Sequence, residues 1–285
     1  MNDRSSWLAA ARPGQAILAP LCVAVGSAYA HFDAQRGPGL PAHVLVTVGA
    51  FAAALGVNLV DHAWDRLVSP SPDPKTPDSE SLPPLEARES AGAGIAALAL
   101  AALCGFGLVP LSGATTLGYG VLAVILGAVR GAPVVGLDTL GWGLSEVAAF
   151  VALGPLAATA GFASQAGTGS SGAFLAGLPA GLIGAAALFG RRATKQDLGE
   201  DVARGTAVAL PLLAAAAVTI AVRAGEYGPW ARTAMLPLAL AAIAAWRLPA
   251  SPEAADYGRW RRLALGGAVA ALACIVAAFL IASPD

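Results

Sequence analysis

Charge is what this sequence most lacks. Asp, Glu, Lys and Arg make up 12% of its 285 residues, against about 25% in a typical soluble domain. Half the usual density cannot solvate a globular surface, which excludes an ordinary water-soluble fold and predicts lateral surfaces facing lipid. The near-balance of 17 basic and 18 acidic residues, a net charge of −1, removes the electrostatic footprint that nucleic-acid binding needs. Cysteine is scarce as well. Cys22, Cys104 and Cys274 lie in different apolar stretches without metal-ligand spacing, and they read as small apolar residues. Long polar segments are missing too. None is large enough to bury its own core, so residues 1–285 are expected to form one membrane domain. No cleavable leader is evident, and the first apolar stretch is long enough to span and be retained.

What the chain has in abundance is apolar sequence. Hydrophobic residues make up 56% of it, mostly Ala, Leu and Val; with its 34 glycines they suit close helix contact in a bilayer. Nine apolar segments stand out, at about 14–32, 41–63, 90–110, 113–130, 144–164, 172–190, 205–223, 230–247 and 262–282. Each is near the length a helix needs to cross about 30 Å of hydrocarbon at about 1.5 Å per residue. The expected fold is therefore all-α, a polytopic bundle of nine transmembrane helices.

The connections alternate in character. Segments 111–113 and 165–171 are short and nearly uncharged, whereas 64–89, 191–204 and 248–261 are long and charged. Fourteen of the 17 basic residues fall on one side of the resulting topology, and only Arg36, Arg223 and Arg232 fall on the other. Under the positive-inside rule the N-terminus and the long loops face the cytoplasm and the C-terminus lies outside, which places the protein in the cell membrane.

Two acidic clusters occupy the cytoplasmic side. In the first, Asn58, Asp61, His62 and Asp65 are spaced by three and four, so an amide, two carboxylates and an imidazole share one helix face. In the second, just before the seventh apolar segment, Asp197 and Asp201 lie one turn apart, with Arg204 on the same face. Like charges at this spacing repel, and more so near a membrane. Carboxylates are hard oxygen donors suited to Mg²⁺, which binds through one or two of them together with substrate phosphates. Two facing acid pairs could grip a Mg²⁺-diphosphate. Spacing alone leaves a plainer reading open: solvated helix ends, with Asp61 and Asp65 paired to Arg66, and Asp197 and Asp201 paired to Arg192, Lys195 and Arg204.

The order of these motifs resembles that of the UbiA superfamily of intramembrane prenyltransferases, and most of all its 1,4-dihydroxy-2-naphthoate polyprenyltransferase branch. Arg12-Pro13 is similar to that branch's Arg-Pro start. Asn58 to Asp65 resembles its first Asp-rich motif, and Asp197 to Asp201 followed by Gly205-Thr206 its second. Between them stand Pro133, Leu140 to Glu146, and Gly154-Pro155-Leu156, similar to the branch's Gly-Leu-Gly-Glu and Gly-Pro-Leu segment. Two departures are visible. Asp61 and Asp65 keep their spacing but sit one residue closer to Asn58, and the basic pair after Gly205 is missing.

The resemblance implies a nine-helix fold and transfer of a polyprenyl group from its diphosphate to an aromatic acceptor. It points to a menaquinone-type product, with Mg²⁺ held by Asp61, Asp65, Asp197 and Asp201. It also makes Glu146 a pocket residue. Asn58, His62, Lys75, Arg130 and Arg204 are the remaining candidates for substrate contact. Each cation has an alternative as an ordinary cytoplasmic charge, and His62 as a hydrogen-bonded helix-end residue. The proline- and acid-rich segment 66–89 reads as a flexible loop or as a lid over the diphosphate. Two other classes stay open: a related enzyme using another acceptor, and a transport protein whose acids line an ion path.

Overall fold

The computed structural model describes residues 4–34, 39–68, 86–131, 144–189, 200–248 and 256–282. Among them every regular element is helical. In chain order these are α1 (Arg4–Ala11), α2 (Pro13–Ala16), α3 (Leu18–Ala34), α4 (Leu40–Val68), α5 (Ala87–Ser112), α6 (Thr115–Gly131), α7 (Leu144–Val151), α8 (Ala157–Ala166), α9 (Ser171–Phe189), α10 (Glu200–Arg223), α11 (Met235–Arg247) and α12 (Tyr257–Ile281). A π-helical turn, Ala152–Leu156, joins α7 to α8, and a 3₁₀ turn, Pro229–Ala234, leads into α11. Among the described residues seven helical stretches are long and apolar enough to cross a membrane, and α6 contributes a shorter apolar helix, Thr115–Val129.

The apolar runs located the helices but not their ends. Arg66 and Arg88 lie on α4 and α5 rather than in a loop, and Arg259, Arg261 and Arg262 lie on the opening turns of α12. In each case polar turns continue the helix past the hydrocarbon-length stretch. Helices of 29, 26 and 25 residues result, where about 20 would span. The first segment differs most. Helix extends upstream of it to Arg4, with a break at Arg12, which adopts φ 47° and ψ 55°, before Pro13 starts α2.

Spans that follow one another in the chain run antiparallel. Along α4 and α5, Gly49 meets Cys104, Gly56 meets Leu98, and Ser90 Oγ donates to the Leu59 carbonyl at 2.7 Å. Tight turns close the opposite end: Gly113 (φ 81°) ends α5 and Gly167 (φ 76°) ends α8, both in a conformation glycine adopts without a Cβ penalty. That end also carries long-range ties. The Gly39 amide donates to Gln165 Oε1 at 2.7 Å, and Tyr29 donates to Glu226 at 3.0 Å. Tyr227 donates to the Ala176 carbonyl, and burial, joined by Tyr29 and Cys22, raises its phenol well above the usual range. The C-terminal ends of α4, α6, α9 and α11 and the N-terminal ends of α5, α7, α10 and α12 therefore share the other end of the bundle.

At the centre runs the α7–α8 span, Leu144–Ala166, with 78% of its apolar window buried, against 17% for α5. Lipid tails are as apolar as leucine, so helices here gain by backbone approach rather than by exclusion of water. Glycines make that approach. A Cβ on Gly26 of α3 would collide with the Ala158 carbonyl oxygen, and one on Gly161 of α8 with the Val23 carbonyl. On the other flank Gly154 faces Gly177 and Gly181 of α9, with 2.6 Å left for a Cβ on Gly154. Ser27 Oγ donates to the Gly161 carbonyl at 3.2 Å across the α3–α8 seam. Cys22 and Cys104 sit buried and unpaired in such seams, as small apolar residues.

Replacing Gly26 by Ala is expected to destabilise by about 1–3 kcal/mol through overpacking. Gly266→Ala, on an exposed face of α12 with nothing within 4 Å of the added methyl, is expected to be neutral or slightly stabilising. Thermal unfolding of both variants in detergent micelles distinguishes the two sites.

Candidate functional site

The first acidic motif is built on the last three turns of α4, which continues unbroken to Val68. At about 100° per residue, Asn58, Asp61, His62 and Asp65 fall within an arc of about 100°. The buried residues between them, Leu59 (6% exposed) and Ala63 (2% exposed), anchor the other face. Leu59 packs with Ala10, Trp7 and Ala93, clamping the end of α1 between α4 and α5. Ser90, fully buried, bonds the Leu59 carbonyl and locks α5 to the same turn.

The break between α1 and α2 docks directly on the motif. Asn58 Nδ2 donates to the Ala11 carbonyl at 3.0 Å. One residue on, Arg12 Nη1 lies 3.3 Å from Asp61 Oδ2, the guanidinium 12% and the carboxylate 25% exposed. Arg12 is the one non-glycine residue with positive φ among the described residues. It also precedes a proline, which disfavours helical backbone. A left-handed arginine costs of order 1 kcal/mol and persists where its surroundings over-determine it. Here the Asn58 bond on one side, Pro13 on the other and the ion pair at its tip do so. Asp61 thus pairs with a residue 49 positions away, not with Arg66, the partner a solvated helix end would offer on its own helix.

The second motif begins α10. Glu200 and Asp201 are its first two residues and Arg204 follows one turn on, half-buried. Two acids at a helix start complement its dipole. The backbone brings Asp201 to the same end of the bundle as Asp61 and Asp65. Glu146, half-buried on the first turn of α7, is at that end too, as is Arg130 on the last turn of α6. Asp197 and Lys75 lie outside the described residues, as do the side chains of Asp65, Asp201 and Arg130 and most of segment 66–89. Among the described residues no three ligating side chains form a metal cluster.

Neither a protein-family model nor a curated protein matches the sequence. Solved structures do match. A digeranylgeranylglyceryl phosphate synthase aligns with 96% of this chain and 98% of its own, at TM-score 0.59 and 12% identity. A UbiA homologue from Archaeoglobus fulgidus, bound to GPP and Mg²⁺, aligns with 94% of this chain and 99% of its own, at TM-score 0.61 and 16% identity. An apo UbiA homologue from Aeropyrum pernix K1 aligns with 92% and 97%, again at 0.61 and 16%. The fold is that of the UbiA homologues.

Within this UbiA-type fold two features had no place in the sequence reading. Arg12 stood there only as half of an Arg-Pro start, and nothing in local periodicity signals that it reaches Asp61. The π-helical turn at Gly154-Pro155-Leu156 is the second. Proline lacks the amide of an α-helical ladder, the ladder slips by one residue, and Thr159 Oγ1 donates to the Pro155 carbonyl at 2.7 Å. Such insertions recur at functional sites, and this one lies on the most buried span. A hydroxyl-lined cleft of about 390 Å³, edged by Tyr119, Thr159, Ser170 and Ser171, opens toward the turn end of the bundle, away from the acids.

Asn58→Ala should leave the Ala11 carbonyl without its side-chain donor and release the α1–α2 break. A loss of about 1–3 kcal/mol is expected, read as a lower unfolding midpoint and as faster proteolysis before residue 14. A midpoint equal to that of the parent would show that the bond does not hold the break in place.

Proposed function

We propose that this chain is a prenyltransferase, moving a polyprenyl group from its diphosphate to an aromatic acceptor at the cytoplasmic end of a nine-span bundle. The acceptor we favour is 1,4-dihydroxy-2-naphthoate, whose prenylation, with diphosphate released and the ring carboxyl lost as CO₂, gives a quinol-level precursor of a menaquinone-type quinone. The observation that carries the reading is the assembly of Arg12, Asn58 and Asp61 at one end of a UbiA-type fold. The Archaeoglobus fulgidus homologue of that fold was solved with GPP and Mg²⁺, and separately with DMAPP and Mg²⁺ and with Cd²⁺. On this reading residues 1–285 form one domain in the cell membrane, N-terminus inside and C-terminus outside, a reading supported by the fourteen of 17 basic residues assigned to the cytoplasmic side.

The residues fit a divalent ion. Asp61 keeps a half-buried carboxylate that already draws a cation to within 3.3 Å. The donor types the sequence offers, the carboxylates of Asp61, Asp65, Asp197 and Asp201 and the amide of Asn58, are the hard set that suits Mg²⁺. Asp61 and Asp65, with Asp197 and Asp201, would hold it, and the ion would supply fixed positive charge opposite the departing diphosphate. Lys75, Arg130 and Arg204 would add charge on the diphosphate oxygens. As the allylic C–O bond breaks, positive charge develops on the prenyl carbon, and an electron-rich ring carbon of the acceptor attacks it. Apolar walls keep water from that carbon first. His62, half-buried one position from Asp61, serves as a ligand or takes the ring proton as aromaticity returns. Glu146 would orient the acceptor. The lipid tail accounts for the location, since each CH₂ favours hydrocarbon by about 0.8 kcal/mol.

A second reading draws on the same ion pair. If Arg12 neutralises Asp61 permanently, the chain is a non-enzymatic or transport protein with a degenerate site. Membranes containing the protein, incubated with radiolabelled prenyl diphosphate, Mg²⁺ and a panel of quinone precursors, separate the two. A labelled lipid product is expected, strongest with 1,4-dihydroxy-2-naphthoate; label on another acceptor corrects the substrate but keeps the chemistry. No product from any acceptor, with the protein folded, favours the second reading. Asp201→Ala should lower turnover by about a hundredfold or more without affecting membrane insertion, and retained turnover refutes the metal assignment.

A further inference from the structure

The Arg12–Asp61 pair is a puzzle on the reading above, which it deepens and on which it rests. A carboxylate assigned to a divalent ion already has a cation on one of its oxygens, 3.3 Å away, in a partly buried setting. The arginine is not there by chance of a long side chain. Its backbone is held in a left-handed conformation that arginine disfavours, immediately before a proline. The preceding carbonyl is pinned to the same motif by Asn58, and the α1 helix behind it is packed through Ala10 and Trp7 onto Leu59. Three separate contacts aim one guanidinium at one carboxylate.

We propose that Arg12 is an internal counter-cation that a divalent ion must displace from Asp61, and that the displaced guanidinium then takes a place on the diphosphate. Two physical facts drive the exchange. A half-buried carboxylate left without a positive neighbour is costly, so the empty site needs a resident charge. Once the ion is bound, a guanidinium at the same oxygen is repelled by it. A planar guanidinium forks onto phosphate oxygens as well as it does onto a carboxylate, so the incoming diphosphate offers it a new partner. Its move is short, because the Asn58 bond and the Leu59 packing hold the backbone and only the side chain swings. The consequence is order. The ion alone binds weakly because it competes with Arg12, and diphosphate strengthens it by drawing Arg12 away. The arrangement disfavours a bare metal site open to other anions.

The test uses the full-length protein in detergent micelles, with Mn²⁺ as the probe ion, free Mn²⁺ counted by its paramagnetic resonance signal, and inorganic pyrophosphate as the probe anion. Removing the competitor in Arg12→Gln should tighten Mn²⁺ binding without pyrophosphate by about threefold to tenfold. It should also weaken Mn²⁺-dependent pyrophosphate binding by about tenfold or more. Arg12→Lys, which keeps the charge but not the fork, should leave Mn²⁺ affinity near that of the parent and lose part of the pyrophosphate affinity. Equal or weaker Mn²⁺ binding in Arg12→Gln, with the helical circular-dichroism signal and elution profile unchanged, overturns the proposal and leaves Arg12 a purely structural residue. If Arg12→Gln does not fold, Arg12→Lys decides: undiminished pyrophosphate binding overturns the second half of the exchange. Asp61→Asn tests the underlying reading separately. Unchanged Mn²⁺ binding in that variant removes Asp61 from the metal set, whatever Arg12 does.

Discussion

Backbone approach through glycine is the constraint on which the rest of this bundle depends. In a medium where apolar surface gains nothing by hiding from its surroundings, two helices hold together by how closely their main chains pass. Gly26 and Gly161 bring α3 against α8, while Gly154, Gly177 and Gly181 bring the π turn against α9. These seams set the position of the central span, and through α3 they set where α2 and Arg12 emerge. The acidic end of the bundle is therefore positioned by main-chain contacts far from it.

The helices were legible in the sequence because an apolar run of spanning length has few alternative fates. Their ends were not. Hydropathy falls at the membrane surface, whereas a helix stops where its caps and packing stop it, so Arg66, Arg88 and Arg259 were read as loop residues and belong to helices. The candidate site divides along the same line. The shared face of Asn58, Asp61, His62 and Asp65 follows from helical spacing, and the continuous α4 preserves it. The partner of Asp61 does not follow from spacing. The local rule nominated Arg66, and the fold supplied Arg12 from 49 positions upstream. A left-handed arginine ahead of a proline has no signature in composition or period, and the π turn at Pro155 is equally silent until the ladder is seen to slip.

Most acids among the described residues gather at one end, where charged helix termini meet water, with Asp33 and Glu226 at the other, and the bundle centre is left largely to glycine, alanine and a few self-satisfied hydroxyls such as Ser27 and Thr159. An ion path across the bilayer calls for polar residues at mid-depth. A lipid diphosphate calls for something else: one polar end for its head and an apolar interior for its tail. The distribution of charge along these helices follows the second pattern, and the UbiA-type fold is consistent with it.

Burial is uneven across the bundle, 78% of the apolar window in the α7–α8 span against 17% in α5 and 22% in α4. The glycine seams interlock the crowded side main chain to main chain, and those helices cannot slide without collision. The α4–α5 pair on the sparse side carries the first acidic motif; Ser90 bonds the two helices to each other, and Asn58 ties α4 to the α1–α2 break. A bundle put together in this way separates its rigidity from its charge: the main-chain lock lies on one flank, and the first acidic motif rides on the flank that is least covered by other helices.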